Sequence, residues 1–434
     1  MRNTLRGRFR AACDLVPVGA LREFVRMPAA TDARRPPGPE ALKGRWLSGR
    51  GRPAGGAVWP TPRQELLLRA ALLEGDAASS AWRRWSSEVD MEGLDPSSNQ
   101  LLPLVYRNLV AQGVKDDSVA ALKPRYAVTW GQNQKTFRLL VQTLRRLHAA
   151  DIETLVVKGA ALIPLFYRDS GVRGMGDFDV VVRERQFGDA VRVLLGAGWG
   201  TRFWRPELFD TRFDHAIAFL DADGNSVDLH CHLLMACCEP TADDPFWDAS
   251  RPLEIEGEAT RTLCATDHLI QACVHGINWV RVPPLRWIAD AMTVMQGRQE
   301  GIDWDRLAEL AQTRELTLPL ESTLSYLRRT FDAPVPEDVL RRLAGGPITR
   351  TDRLRFAFWA EDPRGRPLGR LLHHYVMYTR GVRGAGAVGR IQALPAYFRF
   401  WTRTDRLWKI PFQLGLKGVR VVANRLGLYR YWDA

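Results

Sequence analysis

Three aspartates offer the clearest chemistry in this sequence. Asp177 and Asp179 stand two apart in Asp177-Phe178-Asp179, ahead of the apolar run Val180–Val182. Side chains two apart on a β-strand leave the same face, so both carboxylates share a strand mouth while Phe178 turns into the core. Further along, GNSVDLHCHLL alternates again: Asp228, His230 and His232 fall on one face, and Val227, Leu229, Cys231 and Leu233 on the other. Upstream, the apolar run Thr154–Val157 ends in Lys158-Gly159. Carboxylates from two strands beside a Lys-Gly turn suit one or two Mg²⁺ (or Mn²⁺) ions carrying a triphosphate. These ions take carboxylate oxygen together with substrate phosphate, and a paired site holds them about 4 Å apart.

A lone Asp-x-Asp decorates many loops. What strengthens this one is its company: Lys158-Gly159 upstream, Arg173 just before it, and Asp228 on an alternating strand. Lys158 is expected to meet phosphate as a point charge, and Gly159 to let the backbone come close. Arg173 fits three roles: a γ-phosphate ligand, a brace for Asp177, or half of a structural ion pair. His230 is expected to orient Asp228 or touch substrate. A zinc site built from His230, His232, Cys231, Cys237 and Cys238 is disfavoured, because Cys231 points away from both histidines and the spacing matches no common ligand set. His275 and Asp290 lie on downstream helical stretches, where they either reach the cleft or serve packing.

Taken together, Lys158-Gly159-x-x-Leu162, Arg173, Asp177-Phe178-Asp179 and Val227-Asp228-Leu229-His230 resemble a bacterial nucleotidyltransferase family within the DNA polymerase beta-like superfamily. The likeness is strong over residues 155–183 and 224–233, and fades beyond residue 340. It implies a metal-dependent enzyme that moves a nucleoside monophosphate from a nucleoside triphosphate to a hydroxyl acceptor. Asp177, Asp179 and Asp228 would be catalytic and metal-binding; Lys158, Gly159, Arg173 and His230 would hold the nucleotide. One position departs from the superfamily: Ala160 follows Gly159 where a phosphate-binding Ser is usual. Lys158 or backbone N–H groups must then serve the phosphate. The rival reading is a non-catalytic nucleotide- or partner-binding module that keeps the fold; a nuclease or phosphohydrolase is a third. The acceptor, whether peptide, glycan precursor, small metabolite or RNA, is not written in these motifs.

The elements that must position these groups follow from the patterning. The expected fold is α+β: a small mixed β-sheet nucleotidyltransferase core flanked by N-terminal and C-terminal helical regions. Residues 1–62, with TDARRPPGPE and GRGRPAGGAVWPTP, read as a disordered basic tail. Residues 63–150 are helical, with Trp82, Trp85, Tyr106 and Trp130 as core aromatics. Residues 151–262 form the α/β core, in the order strand–helix–strand–helix–strand–strand. Phe187, Ala190, Val191 and Leu194 make one helical stripe closed by Gly198, and Asp223-Gly224-Asn225 supplies a hairpin turn. Residues 263–345 are helical, with Thr266 capping the first helix, and 346–434 are basic and aromatic-rich.

The net charge of +12 over 434 residues is unevenly spread. Residues 364–434 contribute +12, residues 1–56 contribute +8, and the catalytic-looking middle is −8. Basic ends suit a polyanion or an anionic membrane surface; a docked helical tail that packs its aromatics inward is the plainer reading. No apolar run reaches the roughly 20 residues of a membrane span, and the N-terminus lacks the apolar core of a secretory signal. Six cysteines without framework spacing fit a reducing cytoplasm.

Overall fold

A computed structural model of the chain describes residues 59–411 and residue 415. Within that span it leaves out 202–204, 236, 279–284, 298–299, 347, 351, 354–355, 357–366 and 405. The expected tail therefore lies outside the described residues up to residue 58. Trp59 does not belong to a tail: it is buried against Trp287 and Tyr326. The helical region opens at a capping box, in which the Thr61 hydroxyl accepts from the Gln64 N–H and the Gln64 side chain accepts from the Thr61 N–H.

Among the described residues five helices precede the sheet: α1 (Pro62–Leu72), α2 (Gly75–Glu88), α3 (Pro96–Ala111), the single turn α4 (Asp117–Ala120) and α5 (Lys123–His148). Asp95 caps α3 through the Ser98 N–H, with Pro96 in the first turn, where its missing N–H costs nothing. Trp82 and Trp85 stack in the core with ring centroids 5.4 Å apart. Trp130 does not join them; it lies half exposed on the outer face of α5.

The sheet has seven strands: β1 (Thr154–Val157), β2 (Asp177–Val182), β3 (Gly200–Thr201), β4 (Ala216–Leu220), β5 (Ser226–His230), β6 (Arg251–Ile255) and β7 (Glu258–Thr262). Their spatial order is β3-β4-β5-β2-β1-β7-β6. The β6–β7 hairpin is absent from the expected strand–helix–strand–helix–strand–strand order. Its strands are short and charged (Arg251, Glu254, Glu258, Arg261), so they carry little apolar signal, and β7 joins through parallel pairing to β1. Between β1 and β2 come α6 (Gly159–Leu162) and a single π-helical turn, Ile163–Tyr167. Helix α7 (Phe187–Gly196) follows β2 and buries Phe187, Ala190, Val191 and Leu194, with Gly198 at positive φ just past its end. In the β4–β5 turn only Gly224 takes positive φ (80°); the Asp221 carboxylate holds the rest by accepting from the Asp223 and Asn225 N–H groups.

Alternation divides the sheet. One face (Val156, Phe178, Val180, Val182, Val227, Leu229) packs under α5 and α7, with Phe178 fully buried, worth about 1.5–3 kcal/mol. The other face (Leu155, Val157, Val181) meets the helical layer. That layer continues through α8 (Asp244–Asp248), α9 (Ala265–Asn278), α10 (Arg286–Met295), α11 (Trp304–Thr313), α12 (Thr317–Phe331) and α13 (Glu337–Ala344). Thr266 does not cap α9: it sits inside the first turn, where its hydroxyl accepts from the Asp303 N–H. Two further helices, α14 (Pro367–Gly381) and α15 (Ala387–Thr402), place Met377, Val382, Ala393 and Tyr397 around Phe213. No described helix is long and apolar enough to cross a membrane.

Candidate active site

The parallel pairing of β2 with β5 makes the site. Its register sets Asp179 beside Asp228, Asp177 beside Ser226 and Val181 beside His230. On the other side of β2, antiparallel β1 sets Val157 beside Asp179. The chain leaving β1 therefore delivers Lys158 to the same row. Ligand atoms of Asp179, Asp228 and His230 all lie within 4.8 Å of one another. Among the described residues no other His, Cys, Asp or Glu set is gathered this way. Asp177 lines the same cavity but stands outside that trio.

Lys158 donates to Asp179 Oδ1 at 2.5 Å, and His230 Nε2 lies 3.0 Å from the same oxygen. Lys158 adopts φ 52°, ψ −134°, a conformation that costs a non-glycine residue about 1–3 kcal/mol and clusters at functional sites. Gly159 has a steric reason to be glycine: a Cβ there would stand 2.1 Å from Arg173 Nη1 and 2.8 Å from Met175 Cγ. The close approach is by a guanidinium.

Arg173 is buried and pairs with Asp290 rather than Asp177, Nε to Oδ1 at 2.7 Å and Nη2 to Oδ2 at 2.8 Å. The Tyr167 hydroxyl donates to the same carboxylate at 2.7 Å. Asn133 fixes the loop before β2: its amide donates to the Ser170 and Arg173 carbonyls, and its Oδ1 accepts from the Met175 N–H. The sequence reading did not single out Asn133 or Tyr167; an Asn on the buried stripe of α5 was the available signal.

Arg173 and Asp290 line a cavity of about 360 Å³ together with Lys158 and the three aspartates. Asp177, Asp179 and Asp228 come from the sheet, Lys158 and Gly159 from the turn after β1, and His268, Gln271, His275, Arg286, Trp287 and Asp290 from α9 and α10. His275 and Asp290 thus both reach the cleft, whereas Arg286 was missed. A second cavity of about 510 Å³ shares none of these residues and holds no carboxylate–imidazole cluster.

The electrostatics separate the carboxylates. Burial raises the Asp179 pKa, but the Lys158 ammonium and the His230 hydrogen bond outweigh it and hold Asp179 below the ordinary range. Asp228 is pushed up to about 6, first by burial and then by the charges of Asp179 and Asp177. Asp177 is raised by burial and by Asp179. Burial presses His268 and His275 down to about 3, so both are neutral near pH 7.

His232 leaves the cluster because β5 ends at His230. Its Nδ1 lies 2.8 Å from Asp243 Oδ2 and its Nε2 2.9 Å from the Thr211 carbonyl. Cys231 is buried in the apolar cluster on the opposite face, and the five described cysteines are all free and buried. These placements give no zinc set among the described residues.

The family described as uncharacterised nucleotidyltransferase matches residues 97–332, more than half of the chain, and the chain belongs to that family. Among solved structures it is similar to an antigenic nucleotidyltransferase-like protein from Paracoccidioides brasiliensis. That similarity has 14% identity, a TM-score of 0.31, and covers 50% of this chain and 95% of the other. No curated protein matches the chain.

Proposed function

We propose that this protein is a metal-dependent nucleotidyltransferase of the DNA polymerase beta-like superfamily. It transfers a nucleoside monophosphate from a nucleoside triphosphate to a hydroxyl acceptor in a reducing cytoplasm. The observation that carries this reading is the Asp179–Asp228–His230 cluster, with Asp177 on the wall of the same cavity. Two carboxylates and an imidazole fit a divalent ion, Mg²⁺ or the more imidazole-tolerant Mn²⁺. Such an ion neutralises triphosphate charge and eases ionisation of the attacking hydroxyl. Asp179, Asp228 and His230 would hold it, with Asp177 beside them. Lys158, which donates to Asp179 at the edge of the cavity, would meet phosphate as a point charge. Arg173 supports the nucleotide cavity through Asp290.

The test is incubation of purified protein with each labelled nucleoside triphosphate and Mg²⁺ or Mn²⁺, following pyrophosphate release and labelling of acceptors or of the protein itself. Release that depends on the ion and on Asp228 is expected. Nucleotide binding without release in any combination sinks the enzyme and leaves the non-catalytic module. That second reading draws on Ala160, which offers no hydroxyl to phosphate.

We also propose an anionic membrane surface as partner of the basic C-terminal region. Helix α15 packs Ala393 and Tyr397 inward yet exposes Val388 and Ile391, and Trp408 lies exposed beyond it. Neither α14 nor α15 contains an acidic residue. Exposed aliphatic side chains among arginines suit a lipid interface better than nucleic acid, which rewards aromatic stacking. Arg399→Glu with Arg406→Glu should weaken binding to anionic vesicles and flatten its salt dependence; unchanged vesicle binding refutes the assignment.

A further inference from the structure

Resting on that reading, we infer that Arg286 and the N-terminus of α10 form the subsite for the polyphosphate end of the nucleotide. The motive is a charge left over. Lining the cavity, Lys158 is committed to Asp179 and Arg173 to Asp290. Arg286 lines it too, yet it donates to the neutral Gln100 side chain, and it forms no ion pair among the described residues. Arg286 is half-buried, near enough to Arg173, Asp290 and Asp177 to feel their charges; a guanidinium on a cavity wall with no ion pair of its own is open to a ligand anion.

The backbone points the same way. Arg286 opens α10, a helix of 10 residues whose N-cap, Leu285, offers no side-chain acceptor. The first N–H groups of a helix have no intrahelical partner, and with the helix dipole they favour phosphate. Leu285, Arg286 and Trp287 all border the cavity. The turn after β1 is poorly equipped by comparison: Ala160 has no hydroxyl, and its side chain is buried in the apolar cluster. The helical wall thus supplies a phosphate contact that this turn lacks, across the cavity from Lys158. Arg286 is therefore a binding residue, able to form a bidentate contact with phosphate.

Inorganic tripolyphosphate, titrated calorimetrically into full-length protein in chelator without divalent ions, isolates this subsite from the metal cluster. Wild-type protein should bind it. Arg286→Gln should weaken binding at least about tenfold, the usual scale for a charge-assisted hydrogen bond; Arg286→Lys should recover part of the loss, and Asp228→Asn should bind as tightly as wild type or tighter. Arginine-selective labelling of the wild-type protein, read by mass spectrometry, should show Arg286 protected by tripolyphosphate, a measurement independent of how the variants fold. Equal binding by wild type and Arg286→Gln, or labelling of Arg286 indifferent to tripolyphosphate, overturns the subsite and leaves the transferase reading standing. Failure of wild type to bind tripolyphosphate or any nucleoside triphosphate overturns both.

Discussion

Replacing Asp290 by Asn tests whether the Arg173–Asp290 pair is a structural keystone of the cavity. Both side chains are buried, at 7% and 8% exposure, and joined by two hydrogen bonds of 2.7 and 2.8 Å, with Tyr167 donating to the same carboxylate. Asn keeps the shape and one acceptor but removes the charge, stranding a guanidinium that cannot be neutralised near pH 7. Breaking one side of a buried pair costs about 3–5 kcal/mol, whereas replacing both partners with apolar residues of similar volume is often nearly neutral. Urea unfolding followed by tryptophan fluorescence and circular dichroism should therefore show Asp290→Asn about 3 kcal/mol or more less stable than wild type. Arg173→Met combined with Asp290→Leu should recover at least half of that loss. A single-variant loss below about 1 kcal/mol, or a double variant no better than the single, refutes the argument, because the desolvation penalty would then not govern this pair.

Asp179→Asn should reduce nucleotidyl transfer by at least about a hundredfold while the circular dichroism spectrum is kept, since the substitution removes charge where donors converge; wild-type turnover at saturating Mg²⁺ refutes the role. His268, whose pKa is near 3 when folded and about 6.5 when unfolded, contributes stability present above pH 6.5 and lost as pH falls, because the unfolded chain takes the proton first. His268→Gln should make the acid limb shallower by up to about 1.4 kcal/mol per pH unit between pH 6 and 4; parallel urea midpoints across that range refute this. Gly276→Ala would set a Cβ 2.1 Å from Trp287 Cγ and should cost about 1–3 kcal/mol or more. Gly131→Ala, at an exposed position of α5 with nothing within 4 Å of the added Cβ, should instead stabilise by about 0.5–1 kcal/mol; similar melting shifts for the two refute the packing argument.

What the sequence determined by itself was local. Alternation over residues 226–230 puts Val227 and Leu229 on one sheet face and Asp228 and His230 on the other, and the helical period selects Phe187, Ala190, Val191 and Leu194, because each pattern depends only on the repeat of one element. Lys158, Asp177, Asp179 and Asp228 were legible as cavity residues for the same reason: each falls at a strand end or on a polar face in its own segment. Where a strand stops is already less local; one residue past His230 the alternation ends, and His232 turns to Asp243. Partners were not legible at all. The parallel register that sets Asp179 against Asp228, and the β7 strand beside β1, come from pairing segments far apart in the chain. Arg173 could have served Asp177 or a phosphate, and only the packing of α10 on the sheet gave it Asp290, 117 residues away. The same packing brought Arg286 into the cavity without an ion pair among the described residues. Periodicity tells each side chain which way to face; tertiary packing decides what it meets there, because ion pairs and register are set by contacts between elements rather than by any one of them.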